Sequence, residues 1–210
     1  MPEQRDDGLL EQAVRYVKER HWEVLPGAWI EFDAAGAALC SCAAADCGAP
    51  GVHPLRPGWG SDATGSETQA RRLWTREPRA SVLLPTGRTF DVLEVSEGAG
   101  CLALARMERM GASLGPVAGT PLGRMLFFVM PGGAAKVPGK LRQLGWAPAS
   151  LDLTVRGEGD FVAAPPSRLA TDGTVRGRVH WIRRPTPVNR WLPDPAELLA
   201  PLAYACAQED

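Results

Sequence analysis

The chain has 210 residues, 45% of them hydrophobic, and its 23 basic and 24 acidic side chains leave a formal charge of −1 at pH 7. That length can bury one sizeable core, or two small modules packed together. The near-neutral balance argues against a strongly basic nucleic-acid surface, because phosphate neutralisation supplies most non-specific affinity, and no apolar run approaches the length of a membrane span.

The N-terminal MPEQRDDGLL lacks the charged-then-apolar pattern of a leader. Leu9, Leu10, Ala13, Val14 and Val17 recur at helical spacing, with Asp6 or Asp7 as cap. They predict an amphipathic helix over residues 8–20, packed on a strand that begins at Trp22. WEVLPGAWIEF then alternates as an extended segment leading into CSCAAADCGAPGVHP. Here Cys40, Cys42, Cys47 and His53 bring three thiols and an imidazole into one short run, the donors that zinc takes in tetrahedral geometry.

A loop of Ala, Gly and Pro has no apolar core, so a structural zinc would supply the folding free energy of residues 39–54. Gly48, Pro50 and Gly51 permit the reversal that returns His53 to the thiols. Cys40 and Cys42 are one residue apart, so both can ligate only through a distorted turn. The alternatives are buried or free thiols beside a turn histidine, and disulfides. An odd total of five cysteines suits a reducing cytoplasm, the expected location.

A second helix is expected to start at Ser66, in a capping box with Gln69, and to stop before Pro78, anchored by Leu73 and Trp74. SVLLPTG, TFDVLEV and RMLFFVM are short apolar runs bounded by Gly or Pro, with a helical stripe of Leu102, Ala105 and Met110 between the last two. LDLTV and DFVAA, separated by RGEG, predict hairpin-like strands. Residues 184–210 comprise a Pro-rich connector and a capped helix from Pro195 to Cys206. This order predicts an α+β sheet with helices mainly on one face. Trp59, Trp146, Trp181 and Trp191 lie near turns, where they can stack on bases or, more commonly, cover a core edge. All but three of the basic residues are arginines, a bias that suits phosphate contacts but also follows from a GC-rich genome.

Taken together, HWEVLPG, CxC, PGVHP, REPRASVLLPTG, VLEV, TPLGRMLFF and VRGEGDFVAAPPS resemble the N-terminal domain of bifunctional DNA primase/polymerases, the prim-pol branch of the archaeo-eukaryotic primase superfamily. The resemblance runs from about Leu9 to Trp181. It implies one prim-pol-like domain over residues 1–210, with an RRM-like sheet, a second small α/β module and an active site in the cleft between them. It also implies two divalent cations, magnesium or manganese, held by an acidic pair ending a strand and by a later acid. Hard cations that neutralise a triphosphate need such carboxylates.

Several of the family's groups are replaced. The acidic pair falls on Glu94 and Ser96, the phosphate-contacting histidine aligns with Met125 beyond a shortened glycine turn, its serine with Leu122, and the later acid with Thr154. Asp152 shares the strand parity of Thr154 but lies one pleat repeat away, about 6 to 7 Å. Asp91 should face the other side of its strand, and Glu97 would need a bulge to turn inward. Arg124, Lys140 and Arg156 are the expected nucleotide- or phosphate-binding residues. The resulting expectation is a catalytically degenerate prim-pol-like protein, a binding or regulatory module for a nucleotide, weakly held single-stranded nucleic acid or a protein partner. The alternative is an active DNA primase/polymerase, a nucleotidyltransferase, with a rearranged metal site of Glu94, Glu97 and Asp152.

Overall fold

The computed structural model describes residues 7–187 and 191–209. Along it run α1 (Asp7–Arg20), β1 (Leu25–Gly27), β2 (Ile30–Phe32), β3 (Ala38–Cys40), α2 (Glu67–Arg76), β4 (Ser81–Pro85), β5 (Asp91–Ser96) and α3 (Glu97–Arg109). There follow β6 (Val117–Thr120), β7 (Arg124–Val129), α4 (Val137–Gln143), β8 (Leu153–Arg156), β9 (Phe161–Ala163), β10 (Arg168–Thr171), β11 (Thr174–Arg178), β12 (His180–Arg183) and α5 (Pro195–Cys206). The fold is α+β, as the sequence predicts. Two compact units emerge, one from the chain up to Pro85 with Phe161–His180, the other from Thr86–Asp160 with the chain from Trp181. Among the described residues no helix is long and apolar enough to cross a membrane.

In the first unit β1, β4 and β9 form an antiparallel sheet in the order β1-β4-β9. Ala13, Val14, Tyr16 and Val17 bury the apolar face of α1, as their spacing requires. The helix packs chiefly on α2 and β4 rather than on a strand starting at Trp22. Trp22 instead stacks on Tyr16, with ring centroids 6.1 Å apart. Asp7 lies inside the helix, and Asp6 lies outside the described residues.

Only half of the expected capping box forms at α2. Ser66 Oγ accepts from the Gln69 amide at 3.4 Å, but the Ser66 amide donates to Thr64 Oγ1 at 3.1 Å instead of to Gln69. Trp74 is fully buried and donates to the Ala80 carbonyl at 2.8 Å, while Leu73 is half-buried. The extended WEVLPGAWIEF segment divides between two sheets. Its first part forms β1, and its second forms β2, in a separate hairpin with β3.

The second unit contains a five-stranded sheet ordered β12-β6-β7-β5-β8, in which β5 runs antiparallel to both β7 and β8. Strand alternation sends Leu93, Val95, Met125, Phe127 and Val129, with half-buried Leu153 and Val155, to one face. There they join Ala99, Ala103, Met107, Leu141, Leu198 and Leu202 of α3, α4 and α5 in one core. Burying each large side chain contributes about 1.5 to 3 kcal/mol.

The expected α3 stripe of Leu102, Ala105 and Met110 is not the buried one. Leu102 and Met110 are exposed, 44% and 72%, and Ala105 is exposed too, whereas Ala99, Gly100, Ala103, Leu104 and Met107 face inward. Small residues bring this helix close to the sheet: a Cβ at Gly100 would stand 2.6 Å from Met125 Sδ. A hydrophobic period alone underweights such a face.

β8 and β9 are not a hairpin either. β8 pairs with β5, β9 pairs with β4, and the two belong to different sheets. The intervening turn closes on itself through the Asp160 amide and the Gly157 carbonyl at 3.1 Å, so neither strand needs the other. In the C-terminal part, residues 184–187 and 191–194 carry no helix or strand, and the rest of the connector lies outside the described residues. Asp194 Oδ1 caps α5 through the Ala196 amide at 2.8 Å.

Candidate functional site

Two clusters of chemically capable side chains stand out, one in each unit. In the first unit β3 ends at Cys40, and the turn beyond it puts Ala43 at φ 57°, the distorted turn that ligation by both Cys40 and Cys42 requires. Gly51, at φ 85°, turns the chain back where a Cβ would collide with Ile30. Donor atoms of Cys40, Cys42, Cys47 and His53 thereby come within 4.8 Å of one another, with Cys40 Sγ 3.3 Å from His53 Nε2. Ligands of one tetrahedral zinc stand about 3.5 to 3.8 Å apart, so small movements would close the shell.

The donor set fits a metal ion such as zinc. His53 Nδ1 lies 2.8 Å from the Pro54 carbonyl and donates to it, which leaves Nε2 free to ligate. The Gly51 amide donates to Cys40 Sγ at 3.4 Å. Cys42 is pulled down to about 7, chiefly by the Ala44 amide, so it is readily a thiolate. Cys47 is pushed up to about 11, first by burial, so it must give up a proton to ligate a cation. Cys101 and Cys206 stand apart, Cys101 Sγ 3.8 Å from Met125 Sδ and Cys206 Sγ 3.6 Å from the Asp152 carbonyl.

In the second unit the sheet face opposite the core carries the other cluster. Glu94 lies across from Thr154 on β8 and Leu126 on β7, and Ser96 lies across from Arg124. Alternation therefore puts Glu94, Ser96, Arg124, Thr154 and Arg156 on one face. Arg124 Nε donates to Glu94 Oε1 at 3.2 Å, while its Nη1 and Nη2 grip Asp152 at 2.5 and 2.9 Å. Arg156 takes the other Glu94 oxygen through Nε at 3.0 Å and Nη2 at 2.9 Å. The Asp152 carboxyl is held below its usual range, chiefly by its hydrogen bond to Arg124, and Arg124 is raised in turn, chiefly by the same bond.

Ser96 is the N-cap of α3. Its Oγ accepts from the Ala99 amide at 3.1 Å and donates to the Glu209 carboxylate. Glu209 was not anticipated, because no local pattern could place a residue more than a hundred positions away beside Ser96. Glu97 occupies the first turn of α3, with its amide on the Gly123 carbonyl at 2.8 Å. Asp91 is buried, as its parity implies, and accepts from the Gly133 and Ala134 amides at 3.1 and 3.0 Å.

Two expected members of this cluster lie elsewhere. Met125 is fully buried on the core face, so the side chain that reaches the opposite face at the start of β7 belongs to Arg124. A one-residue change in a turn flips side-chain parity, and the glycine turn before β7 is the shortened one. Lys140 lies on α4, whose Val137 and Leu141 join the core on the opposite side of the sheet. It lines a pocket of about 490 Å³ with Lys136 and Asp194, and the structure does not bring it to Arg124 or Arg156. Among the described residues, only the Cys40, Cys42, Cys47 and His53 group draws its donors together as a metal shell would.

A family model described as "Bifunctional DNA primase/polymerase, N-terminal" matches residues 13–194. No curated protein matches the chain.

Proposed function

Because the chain belongs to the bifunctional DNA primase/polymerase N-terminal family, we propose that it is a member that has stopped polymerising and acts as a binding or regulatory module in a reducing cytoplasm. The observation that supports this reading is the Glu94–Arg124–Asp152–Arg156 network. A polymerase of this type needs carboxylates free to hold two hard cations. Here the positions assigned by resemblance offer one carboxylate, Glu94, and two hydroxyls; Glu94 and Asp152 are engaged by guanidiniums, and Glu209 accepts from the Ser96 hydroxyl. Ser96 is committed to capping α3. This donor set does not fit a magnesium or manganese pair.

What remains is a scaffold stabilised by its ion-pair network and, in the first unit, by a structural zinc on Cys40, Cys42, Cys47 and His53. Its ligand is a nucleotide, a single strand or a protein partner. Primer synthesis and extension with magnesium or manganese test the reading, and no product is expected. Nucleotide incorporation that disappears in Glu94→Ala would overturn it in favour of a rearranged site, in which displacement of Arg124 frees Glu94 and Asp152 for a cation.

A further inference from the structure

We propose that the first unit carries a phosphate-binding site, built from Arg79, Arg168 and Arg178 beside the ring of Trp29, which takes the backbone of a single-stranded nucleic acid. These residues line one small cleft of about 40 Å³, together with Leu9, Ile30, Ser81 and Pro166. The inference concerns a different unit from the Glu94 network and holds whether or not that network polymerises.

The charge arrangement carries the argument. Arg168 and Arg178 are direct partners across the β10–β11 ladder. Like charges directly opposite one another destabilise a sheet, and a neutral pair would cost nothing. Among the described residues neither arginine has an ion-pair partner, the lining of the cleft holds no carboxylate, and Glu31 is held by Arg79 at 2.8 Å. Three guanidiniums thus face one acid around a cleft the size of an anionic group. An anion bridging Arg168 and Arg178 removes the repulsion and gains charge-assisted, bidentate hydrogen bonds.

Trp29 supplies the second half of the recognition. Its indole Nε1 donates to Glu31 Oε1 at 3.0 Å, and the Arg79 guanidinium stands 5.3 Å from its ring centre. A half-buried indole, fixed at one edge and lying beside cations, is the platform on which a base stacks while its phosphate meets arginine.

The Cys/His loop holds this cleft in shape. Trp29 is tied to Ser41 on both sides, its amide donating to Ser41 Oγ at 3.1 Å and its carbonyl accepting the Ser41 amide at 2.9 Å. Ile30 pairs with Cys40. Gly51 approaches so closely that a Cβ there would lie 2.9 Å from the Arg168 carbonyl, and its own carbonyl accepts from Ser81 Oγ at 2.6 Å. The loop of the metal cluster is therefore in direct contact with several walls of the cleft, which gives that cluster a task beyond folding itself.

The test is fluorescence anisotropy of the full chain with a labelled 20-nucleotide oligodeoxythymidylate over a range of salt, with deoxythymidine monophosphate as competitor. Micromolar binding is expected, in the range of about 10⁻⁴ to 10⁻⁶ M typical of backbone contacts. Arg168→Gln with Arg178→Gln should weaken it at least about tenfold and make the plot of log affinity against log salt shallower by about 1.4, two contacts at about 0.7 each. Trp29→Leu should weaken binding with little change in that slope. Equal affinity for monophosphate and oligonucleotide, both lost in the double variant, supports the site with a free nucleotide as occupant. Arg71→Gln with Arg72→Gln removes the same charge from the exposed face of α2; an equal loss there would overturn the proposal, as would absent binding or an unaffected double variant. Should the double variant lose its fold, Arg178→Ser alone, at an exposed strand end, decides the same question.

Discussion

Arg124 holds Asp152 through both terminal nitrogens, at 2.5 and 2.9 Å, and reaches Glu94 with its Nε–H at 3.2 Å. A single cation thus occupies the space between two carboxylates on the face of the second unit's sheet opposite its core. The contact has a pH signature. Asp152 is depressed below its ordinary value of about 3.9, so its stabilising contribution is complete above that value and is lost as pH falls through the lower folded one. Thermal melts of the wild type and Asp152→Asn should differ at pH 7 and converge in strong acid. Asp152 is half exposed, so the difference should be modest and shrink with salt.

Glu94 is the better-buried acid, with 15% of its side chain exposed, and it joins Arg124 to Arg156. Glu94→Gln leaves two partly buried guanidiniums short of a counter-charge and should destabilise the protein by about 2 kcal/mol in denaturant unfolding. A free metal ligand would behave oppositely, since removing one relieves carboxylate repulsion. A stabilised Glu94→Gln would therefore argue for an emptied metal shell.

The Cys/His loop should carry one zinc per chain in protein purified without added metal, measured by elemental analysis. Cys42→Ala with Cys47→Ala should abolish it, and a strong chelator should lower the melting temperature. Structural zinc binding is worth about 10 to 16 kcal/mol in small peptides. A zinc content near zero, or zinc retained by the double variant, would reject this ligand set.

Ser96→Ala removes the side-chain cap of α3 and should cost about 1 kcal/mol. Met125→His should cost more, about 3 kcal/mol, because the imidazole would lie buried against Gly100 with only the weakly hydrogen-bonding Cys101 thiol beside it. Both are read by equilibrium unfolding. A tolerated Met125→His would place that side chain on the face opposite the core after all.

The local features were legible in the sequence for local reasons. Cys40, Cys42, Cys47 and His53 lie so close in the chain that almost any compact turn brings them together, and residues such as Ser66 and Asp194 mark helix starts within a few positions. The α+β class followed in the same way from the order of apolar runs. Tertiary structure decided what depends on distant partners. Arg124 rather than Met125 lies on the sheet face opposite the core because register across β5, β7 and β8 sets parity, which a shortened turn can invert. β8 and β9 divide between two sheets because each finds a better partner than its sequence neighbour. Glu209 meets Ser96, and Arg79 joins Arg168 and Arg178 beside Trp29, through chain crossings that no periodicity encodes. Composition determined that this protein would be nearly neutral overall; only the fold determined which of its arginines meet a carboxylate, as Arg124 and Arg156 do.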